Sequence, residues 1–364
     1  MAGRLPRFPW DALEPYKAKA RSHPGGIVDL SIGTPVDPVP DVVREALVAA
    51  SDAPGYPAVA GIPAFREAAA GWLARRHQVS VDPDAVLPVL GTKEFIAGLA
   101  THLGCGPGDV VVHPELAYPT YDAGARLAGA RPVAADATVA LGPEPVRLWW
   151  LNSPSNPTGR VLPAEHLRKV AGWARERGTV VASDECYIEL AWEARPVSVL
   201  HSDVCGGSHE GLLAVHSLSK RSSMAGYRAG FVTGDPALIA ELREIRKHAG
   251  LMMPGPVQAA AVAALSDDEH ADAQRARYAR RRALLRPALE AAGWTVQHSE
   301  AGLYLWASRP GRDCWASVAA LAEAGIVVAP GEMYGPAGKQ HVRVALTATD
   351  ERIAAAVERL ATLA

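Results

Sequence analysis

The chain has almost no net charge, and this narrows the kinds of partner that it can bind. Its 364 residues carry 37 Lys and Arg against 39 Asp and Glu, a formal net charge of −2. Such a balance lacks the positive field with which proteins attract nucleic acid or an anionic membrane. We therefore expect small-molecule chemistry, with neither nucleic acid nor membrane as a partner.

Cysteine and long apolar runs are also scarce. Cys105, Cys186, Cys205 and Cys314 form neither a CxxC pair nor a Cys/His cluster with metal-ligand spacing. We expect reduced thiols and no metal site. Residues 1–10 lack an apolar signal-peptide core, and no window of about 18 apolar residues occurs anywhere. A soluble, cytoplasmic protein is the expectation.

Proline and glycine divide the chain into three predicted parts. Residues 1–40 contain seven prolines and a Gly-Gly pair, so we expect an extended arm that joins the small domain. Residues 41–265 alternate helical stretches with apolar runs, the βαβ pattern of a largely parallel sheet in a large domain. Residues 266–364 begin with a long Arg-rich helix, 267–292, and continue as a smaller α+β domain. The predicted strands of the large domain are 86–90, 110–113, 148–151, 180–183, 212–217 and 230–233.

The string His216-Ser217-Leu218-Ser219-Lys220 follows one of these buried strands. A lysine in this position is partly desolvated, and desolvation lowers the pKa of an amine, as an imine-forming lysine requires. The hydroxyls of Ser217 and Ser219 could donate to a phosphate. Taken alone, a lysine near a strand end is more often an exposed surface residue, so the neighbouring strands must decide.

Two further strands also end in polar residues. Asp184 ends the strand 180–183, and Tyr187 follows it. Ligands of open α/β sheets bind at this edge, where a carboxylate could keep a pyridine nitrogen protonated. Asn156 lies in a loop with two prolines and a glycine after the strand 148–151, which would fix its amide. The alternatives are that Asp184 caps a turn and that the Asn156 loop is simply rigid.

A third element could bind phosphate. Gly91-Thr92-Lys93 follows the strand 86–90 and begins a predicted helix, whose free amides suit an anion. Arg228, eight residues after Lys220, could bind the same phosphate through a bidentate contact. Each signal alone is weak, because many βα turns share it and a solvated arginine is common.

Together these strings resemble the fold-type-I aminotransferases, the superfamily of aspartate aminotransferase, from Ser31 to the C-terminus. The resemblance implies an α/β fold with a mostly parallel seven-stranded sheet flanked by helices, a smaller α+β domain, and pyridoxal 5′-phosphate (PLP) as cofactor. Lys220 would carry PLP as a Schiff base and move a proton between the substrate Cα and the cofactor C4′. Asp184 would pair with the pyridine nitrogen, and Asn156 and Tyr187 would bind the cofactor O3′.

The resemblance also implies roles around the cofactor and the substrate. Tyr118 would stack on the pyridine ring. Tyr56 would reach the phosphate in the neighbouring subunit, which implies a homodimer with shared active sites. Arg343 would bind the substrate α-carboxylate, and Gly33 and Asn156 would also contact the substrate. The implied phosphate-binding residues are Gly91, Thr92, Lys93, Ser217, Ser219 and Arg228.

Longer strings resemble, more narrowly, the actinobacterial type of N-succinyldiaminopimelate aminotransferase. They are Pro9-Trp10-Asp11, VDLSIGTPVDPVP (28–40), HPELAYPTY (113–121) and YGPAG (334–338). The resemblance implies amino transfer between glutamate and N-succinyl-2-amino-6-oxopimelate in lysine and diaminopimelate biosynthesis. One departure is the segment 302–305, which has leucine where relatives often place Ala-Phe, and this could reshape the side-chain pocket.

Other functions stay open at this point. A broad-specificity aspartate, alanine or aromatic aminotransferase and a PLP-dependent C–S β-lyase share the same motifs. A PLP-binding transcription regulator would need a fused DNA-binding domain, for which residues 1–40 are too short and too rich in proline. The sequence does not identify the residues that bind the distal end of the substrate, although Tyr16 and Lys17 are candidates.

Overall fold

The apolar runs of the sequence become strands of three sheets. A computed structural model describes residues 5 and 9–363, and its strands are, in chain order, β1 (Val28–Asp29), β2 (Val86–Leu90), β3 (Val110–His113), β4 (Arg131–Ala134), β5 (Val146–Asn152), β6 (Val180–Asp184), β7 (Leu212–Ser217), β8 (Ala229–Gly234), β9 (Thr295–Gln297), β10 (Tyr304–Ser308), β11 (Ile326–Val327), β12 (Ala329–Pro330) and β13 (His341–Ala345).

Helices cover these sheets. They are α1 (Glu14–Arg21), α2 (Asp41–Ala49), α3 (Pro63–His77), α4 (Thr92–His102), α5 (Thr120–Ala128), α6 (Ala164–Arg175), α7 (Ser202–Cys205), α8 (Leu218–Arg221), α9 (Pro236–Ala249), α10 (Gly255–Ser266), α11 (Glu269–Ala291), α12 (Cys314–Glu323) and α13 (Asp350–Ala361). Thus α11 corresponds to the predicted Arg-rich helix.

The main sheet has the strand order β2-β8-β7-β6-β5-β3-β4. Only β8 runs antiparallel to its neighbours, β2 and β7. Alternate residues of each strand enter different cores: Val110 and Val112 pack in one cluster, whereas Val111 packs in another. The sheet is therefore buried on both faces, as its apolar strands predict. The seven-stranded, mostly parallel α/β fold is confirmed.

Strand β4 is not among the strands that the sequence predicts. It lies at the edge of the sheet, pairs only with β3, and has exposed residues at both ends. Pro132 has no N–H to donate to a ladder, and an edge position tolerates this. An edge strand that is neither continuously apolar nor alternating gives no clear pattern in the sequence.

The prediction of an extended arm was wrong for residues 9–21. A 3-10 turn, Pro9–Leu13, leads directly into α1. Pro15 lies in the first turn of this helix, where its missing N–H leaves no hydrogen bond unmade. The next strand, β1, pairs in parallel with β11. The boundaries at 40/41 and 265/266 stay predictions.

The C-terminal part forms a second, smaller core. Its antiparallel sheet has the order β12-β13-β10-β9, and α11, α12 and α13 contribute buried residues to the same cluster. Tyr304 and Arg343 lie in this sheet, on the neighbouring strands β10 and β13. The sheet thereby brings two late segments of the chain towards the carboxyl edge of the main sheet.

Candidate active site

The carboxyl ends of three neighbouring strands place polar residues side by side. Asn152 ends β5 and lies in register with Asp184 at the end of β6, and Ser217 ends β7. Ser217 accepts a hydrogen bond from the Ser219 N–H (3.1 Å), which caps the short helix α8. Lys220 lies in this helix and therefore stands just past the sheet edge.

Lys220 has the environment that an imine-forming amine needs. Burial lowers the pKa of Lys220, and the nearby positive charges of Arg343 and Arg228 act in the same direction. The Tyr278 hydroxyl donates to the Lys220 carbonyl oxygen (3.3 Å) and so ties α11 to α8. A lowered pKa increases the fraction of neutral amine, which is the nucleophilic form.

Asp184 is a buried carboxylate. The Tyr121 hydroxyl donates to its Oδ2 (2.7 Å), and the Cys186 N–H donates to its Oδ1 (3.2 Å). Burial raises the pKa of Asp184, although these hydrogen bonds oppose the shift. Among the described residues no basic side chain forms an ion pair with Asp184. A protonated pyridine nitrogen would supply the missing positive partner.

The loop after β5 is held by its own asparagine. Asn152 Nδ2 donates to the Asp184 carbonyl oxygen (2.9 Å), and Asn152 Oδ1 accepts from the Asn156 N–H (2.7 Å). The Ser153–Pro154 and Asn156–Pro157 bonds are both cis. The Asn156 side chain is held by Arg343, from which its Oδ1 accepts a hydrogen bond (2.8 Å).

A set of donors surrounds the start of α4. Gly91 has φ +76°, and a Cβ there would overlap the Arg228 guanidinium. This close approach brings Arg228 beside the first turn of α4, whose N-cap residue offers no side-chain acceptor. Lys93 lies over the ring of Tyr118, with its Nζ 5.7 Å from the centroid. Free amides and basic groups in one place fit a phosphate.

Arg343 is 3% exposed and has no carboxylate partner among the described residues. Its Nη1 donates to Asn156 Oδ1 (2.8 Å) and its Nη2 to the Ser31 carbonyl oxygen (2.7 Å). The guanidinium lies 3.9 Å from the ring centroid of Tyr304 and 4.9 Å from that of Tyr334. A buried cation held only by neutral groups suits the carboxylate of a ligand.

These residues line one cavity of about 370 Å³. All the predicted site residues line it except Gly91 and Tyr56. The lining consists of Trp10, Ile32, Gly33, Thr34, Thr92, Lys93, Ile96, Tyr118, Asn156, Asp184, Cys186, Tyr187, Ser217, Ser219, Lys220, Arg228, Tyr304 and Arg343. Gly91 lies behind Arg228, whereas the Tyr56 side chain is 97% exposed.

Sequence reasoning missed several residues of the site. Tyr304 and Trp10 line the cavity, and Tyr121 holds Asp184. No motif in the sequence indicated Tyr121, which lies in the first turn of α5. The candidates Tyr16 and Lys17 lie outside the lining: Tyr16 stacks on Trp315 (5.8 Å between centroids), and Lys17 pairs with Asp29 (3.1 Å).

Neither a metal site nor a membrane-spanning helix is found. Within the described part of the chain, no three His, Cys, Asp or Glu side chains are arranged to hold a metal ion. Among residues 5 and 9–363, no helix combines the length and the apolar character needed to cross a membrane.

A buried lysine and a carboxylate at one sheet edge, with a turn whose amides suit a phosphate and a buried arginine nearby, are typical of PLP-dependent enzymes. The chain belongs to the class I and II aminotransferases, whose family model matches residues 26–360. It is thus an aminotransferase, and since this class uses PLP, PLP is its cofactor. The prediction of the superfamily and of the cofactor is confirmed.

Individual relatives cover nearly the whole chain. The 4-dedimethylamino-4-oxo-anhydrotetracycline transaminase of Streptomyces rimosus is 63% identical over 98% of this chain and 99% of its own. A probable aminotransferase of Mycobacterium tuberculosis is 64% identical over 99% of this chain and 86% of its own. Among solved structures, a probable N-succinyldiaminopimelate aminotransferase of Thermus thermophilus is 31% identical, with a TM-score of 0.87 over 98% of this chain and all (100%) of its own.

Proposed function

We propose that this aminotransferase moves an amino group from glutamate to N-succinyl-2-amino-6-oxopimelate and forms N-succinyl-LL-2,6-diaminopimelate. Support comes from the arm and loop strings of the sequence and from the similarity to the probable N-succinyldiaminopimelate aminotransferase of Thermus thermophilus. The proposal places the protein in lysine and diaminopimelate biosynthesis, in the cytoplasm.

The observation that carries amino transfer is Arg343, which lines the same cavity as Lys220 and has no carboxylate partner in the described part of the chain. Glutamate and the oxo acid each have a carboxylate next to the reacting carbon. A single buried guanidinium can therefore bind both substrates in the same orientation in the two halves of a ping-pong reaction. The hydrogen bonds from Arg343 to Asn156 and Ser31 keep the guanidinium in the same position during both half-reactions.

The residues of the cavity have different roles in the reaction. PLP supplies the electron sink for the charge that develops at the substrate Cα. Lys220, with its lowered pKa, would act as the base for the proton at Cα. Asp184 would keep the ring nitrogen protonated, and Tyr187 and Asn156 would bind O3′. Tyr118 would cover the ring, while Arg228, Lys93, Thr92, Ser217 and Ser219 would hold the phosphate.

We also propose a homodimer with shared sites. Tyr56 does not line the cavity of its own chain and is 97% exposed, which is unusual for an aromatic side chain on a monomer. Its hydroxyl would donate to the phosphate in the neighbouring subunit, while Gly33 of the arm would cover the substrate.

The test measures 2-oxoglutarate released from glutamate by the PLP-loaded enzyme with N-succinyl-2-amino-6-oxopimelate, oxaloacetate or pyruvate as acceptor. We expect the highest kcat/KM with the succinylated acceptor. Lys220→Ala should lower kcat by at least about 1000-fold, because the proton at Cα loses its base. Lys169→Ala is the matched control, since Lys169 is exposed and pairs only with Glu165.

Equal rates with Lys220→Ala and the wild-type protein would contradict the assignment. A preference for oxaloacetate or pyruvate would instead indicate an aspartate- or alanine-type enzyme, and release of pyruvate from cystathionine would indicate a C–S β-lyase.

A second candidate function is favoured by the 63% identity to the Streptomyces rimosus transaminase. Trp10, Ile32 and Ile96 contribute apolar surface to the cavity, and apolar lining suits a large ring system. The assay should therefore include 4-dedimethylamino-4-oxo-anhydrotetracycline as acceptor. A higher kcat/KM with this ketone than with the succinylated acid would favour the second candidate.

A further inference from the structure

Tyr304 occupies the centre of the site, although no motif pointed to it. It is 4% exposed and lies in β10. Its hydroxyl oxygen lies 3.1 Å from that of Tyr187, and its ring centroid lies 3.9 Å from the Arg343 guanidinium carbon. Tyr304 therefore contacts both the residue proposed to bind the cofactor O3′ and the residue proposed to bind the substrate carboxylate.

The arm also touches Tyr304. A Cβ built on Gly33 would overlap the Tyr304 hydroxyl and would lie 2.9 Å from two of its ring carbons. Gly33 is buried, so the arm backbone covers the phenol directly. One side chain thus joins three parts of the site that come from distant segments of the chain.

Either hydroxyl can be the donor in the hydrogen bond between the two phenols. The guanidinium of Arg343 lies on the face of the Tyr304 ring, and its positive charge attracts the electrons of that ring and favours Tyr304 as the donor. With Tyr304 as donor, the Tyr187 O–H points away from Tyr304 and becomes a stronger donor itself.

We propose that Tyr304 is a positioning residue that orients the Tyr187 hydroxyl towards the cofactor O3′ and links this orientation to the Arg343 carboxylate site. The inference rests on the role of Tyr187 proposed above. Five ionisable groups lie close enough to Tyr304 for its charge to contribute to their pKa shifts. They are Tyr187, Lys220, Tyr278, Tyr334 and Arg343.

The first test is Tyr304→Phe, which removes only the hydroxyl. The readout is the pH midpoint of the absorbance change of the PLP-loaded enzyme without substrate. A donor to O3′ stabilises the negative oxygen and lowers this midpoint. We therefore expect the midpoint to rise by about half a pH unit when Tyr187 loses its own donor. The kcat should fall severalfold, with a smaller change in KM, because Arg343 keeps its contacts with Asn156 and Ser31.

Tyr334→Phe is the matched control. Tyr334 is equally buried and packs on the same guanidinium at 4.9 Å. Its hydroxyl, however, has no hydrogen-bond partner in the described part of the chain. This variant should keep the wild-type pH midpoint. An unchanged midpoint in Tyr304→Phe would overturn the proposal, and so would a fall, because a fall means that Tyr187 donates to Tyr304.

The second test examines the arm. Gly33→Ala should raise KM for glutamate, because the new methyl group overlaps the Tyr304 hydroxyl. In a Tyr304→Phe background the same substitution should raise KM less, since the overlapping oxygen is gone and only the ring carbons remain close. Strictly additive effects would contradict the contact. Failure of either test in an enzyme that binds PLP and transfers amino groups would leave the proposed function intact.

Discussion

Two acidic residues follow each other at the end of β6 and face different surroundings. Asp184 faces the cavity, whereas Glu185 is 1% exposed and accepts a hydrogen bond from the Val199 N–H (2.8 Å). Its other oxygen lies 3.6 Å from His216 Nε2. Burial raises the pKa of Glu185 to about 7 and lowers that of His216 well below its usual range. The two groups therefore form a neutral pair rather than an ion pair.

This environment predicts a pH-dependent stability. The pKa of Glu185 is higher in the folded protein, about 7 against 4.5, so folding favours its protonated form. The resulting stabilisation is present below pH 4.5 and is lost as pH rises through about 7. Glutamine does not ionise, so the Glu185→Gln protein does not lose this stabilisation. Between pH 5 and pH 8 its free energy of unfolding should therefore rise by up to about 3 kcal/mol relative to that of the wild type.

The measurement is Tm of the PLP-loaded proteins across this pH range. We expect the Tm difference between Glu185→Gln and the wild type to grow with pH and to level off above pH 8. His77, whose pKa burial lowers to about 4, is present in both proteins and cancels from the difference. A Tm difference that does not vary with pH would show that Glu185 is ionised at all these pH values.

At the scale of elements, the turn between β2 and α4 depends on one glycine. Gly91 combines φ +76° with ψ 151°, a conformation open almost only to glycine. It also allows Arg228 to approach the first turn of α4. The turn thus places the helix amides and the guanidinium on the same side.

Gly91→Ala should weaken PLP binding by at least about tenfold, because the methyl group displaces Arg228 and strains the turn by about 1–3 kcal/mol. Equilibrium dialysis of PLP against the protein measures the loss. Gly71→Ala in α3 is the control: a Cβ there has no atom within 4 Å, and alanine favours a helix by up to about 1 kcal/mol. Unchanged PLP affinity in Gly91→Ala would exclude Arg228 from the phosphate site.

Elements differ in how well the sequence predicts them. The buried strands β2, β3 and β7 coincide with their predicted ranges, because a central strand must be apolar on both faces. The edge strand β4 and the helix α1 were missed. Both depend on what lies beside them: β4 on pairing with β3, and α1 on packing against α12, where Tyr16 stacks on Trp315.

At the scale of the molecule, large exposed apolar side chains concentrate in the first sixty residues or so. Seven of the eleven such side chains in the described part of the chain are Leu5, Ile32, Val36, Val42, Val48, Tyr56 and Ile62. Exposed apolar side chains are typical of an interface where they lie together. In the proposed homodimer these side chains would face the second subunit.

Shared sites can be tested by subunit complementation. Lys220→Ala and Tyr56→Ala subunits, carrying different affinity tags, are co-expressed, and the heterodimer is purified. One of its two sites combines Lys220 and Tyr56 from different subunits and is intact. We therefore expect about half the wild-type activity, although both parent homodimers are impaired. A heterodimer no more active than the mean of its parents would mean that each subunit forms its own site.

The sequence by itself determined six of the seven strands of the main sheet and the residues that end them. Lys220, Asp184 and Asn156 stand out because each breaks or follows a buried apolar run, a signal that is local in the chain. Since parallel strands share one carboxyl edge, their approach to one another also follows from the order of elements.

Only the tertiary structure decided how the remaining residues meet. Arg343 binds Asn156 across 187 positions of the chain, and Tyr187 meets Tyr304 across 117. Such contacts depend on how the sheet of β10 and β13 packs above the main sheet, and packing between distant segments leaves no periodic pattern in the sequence. For the same reason Tyr304 looked like an ordinary strand residue until the fold placed it between Tyr187 and Arg343.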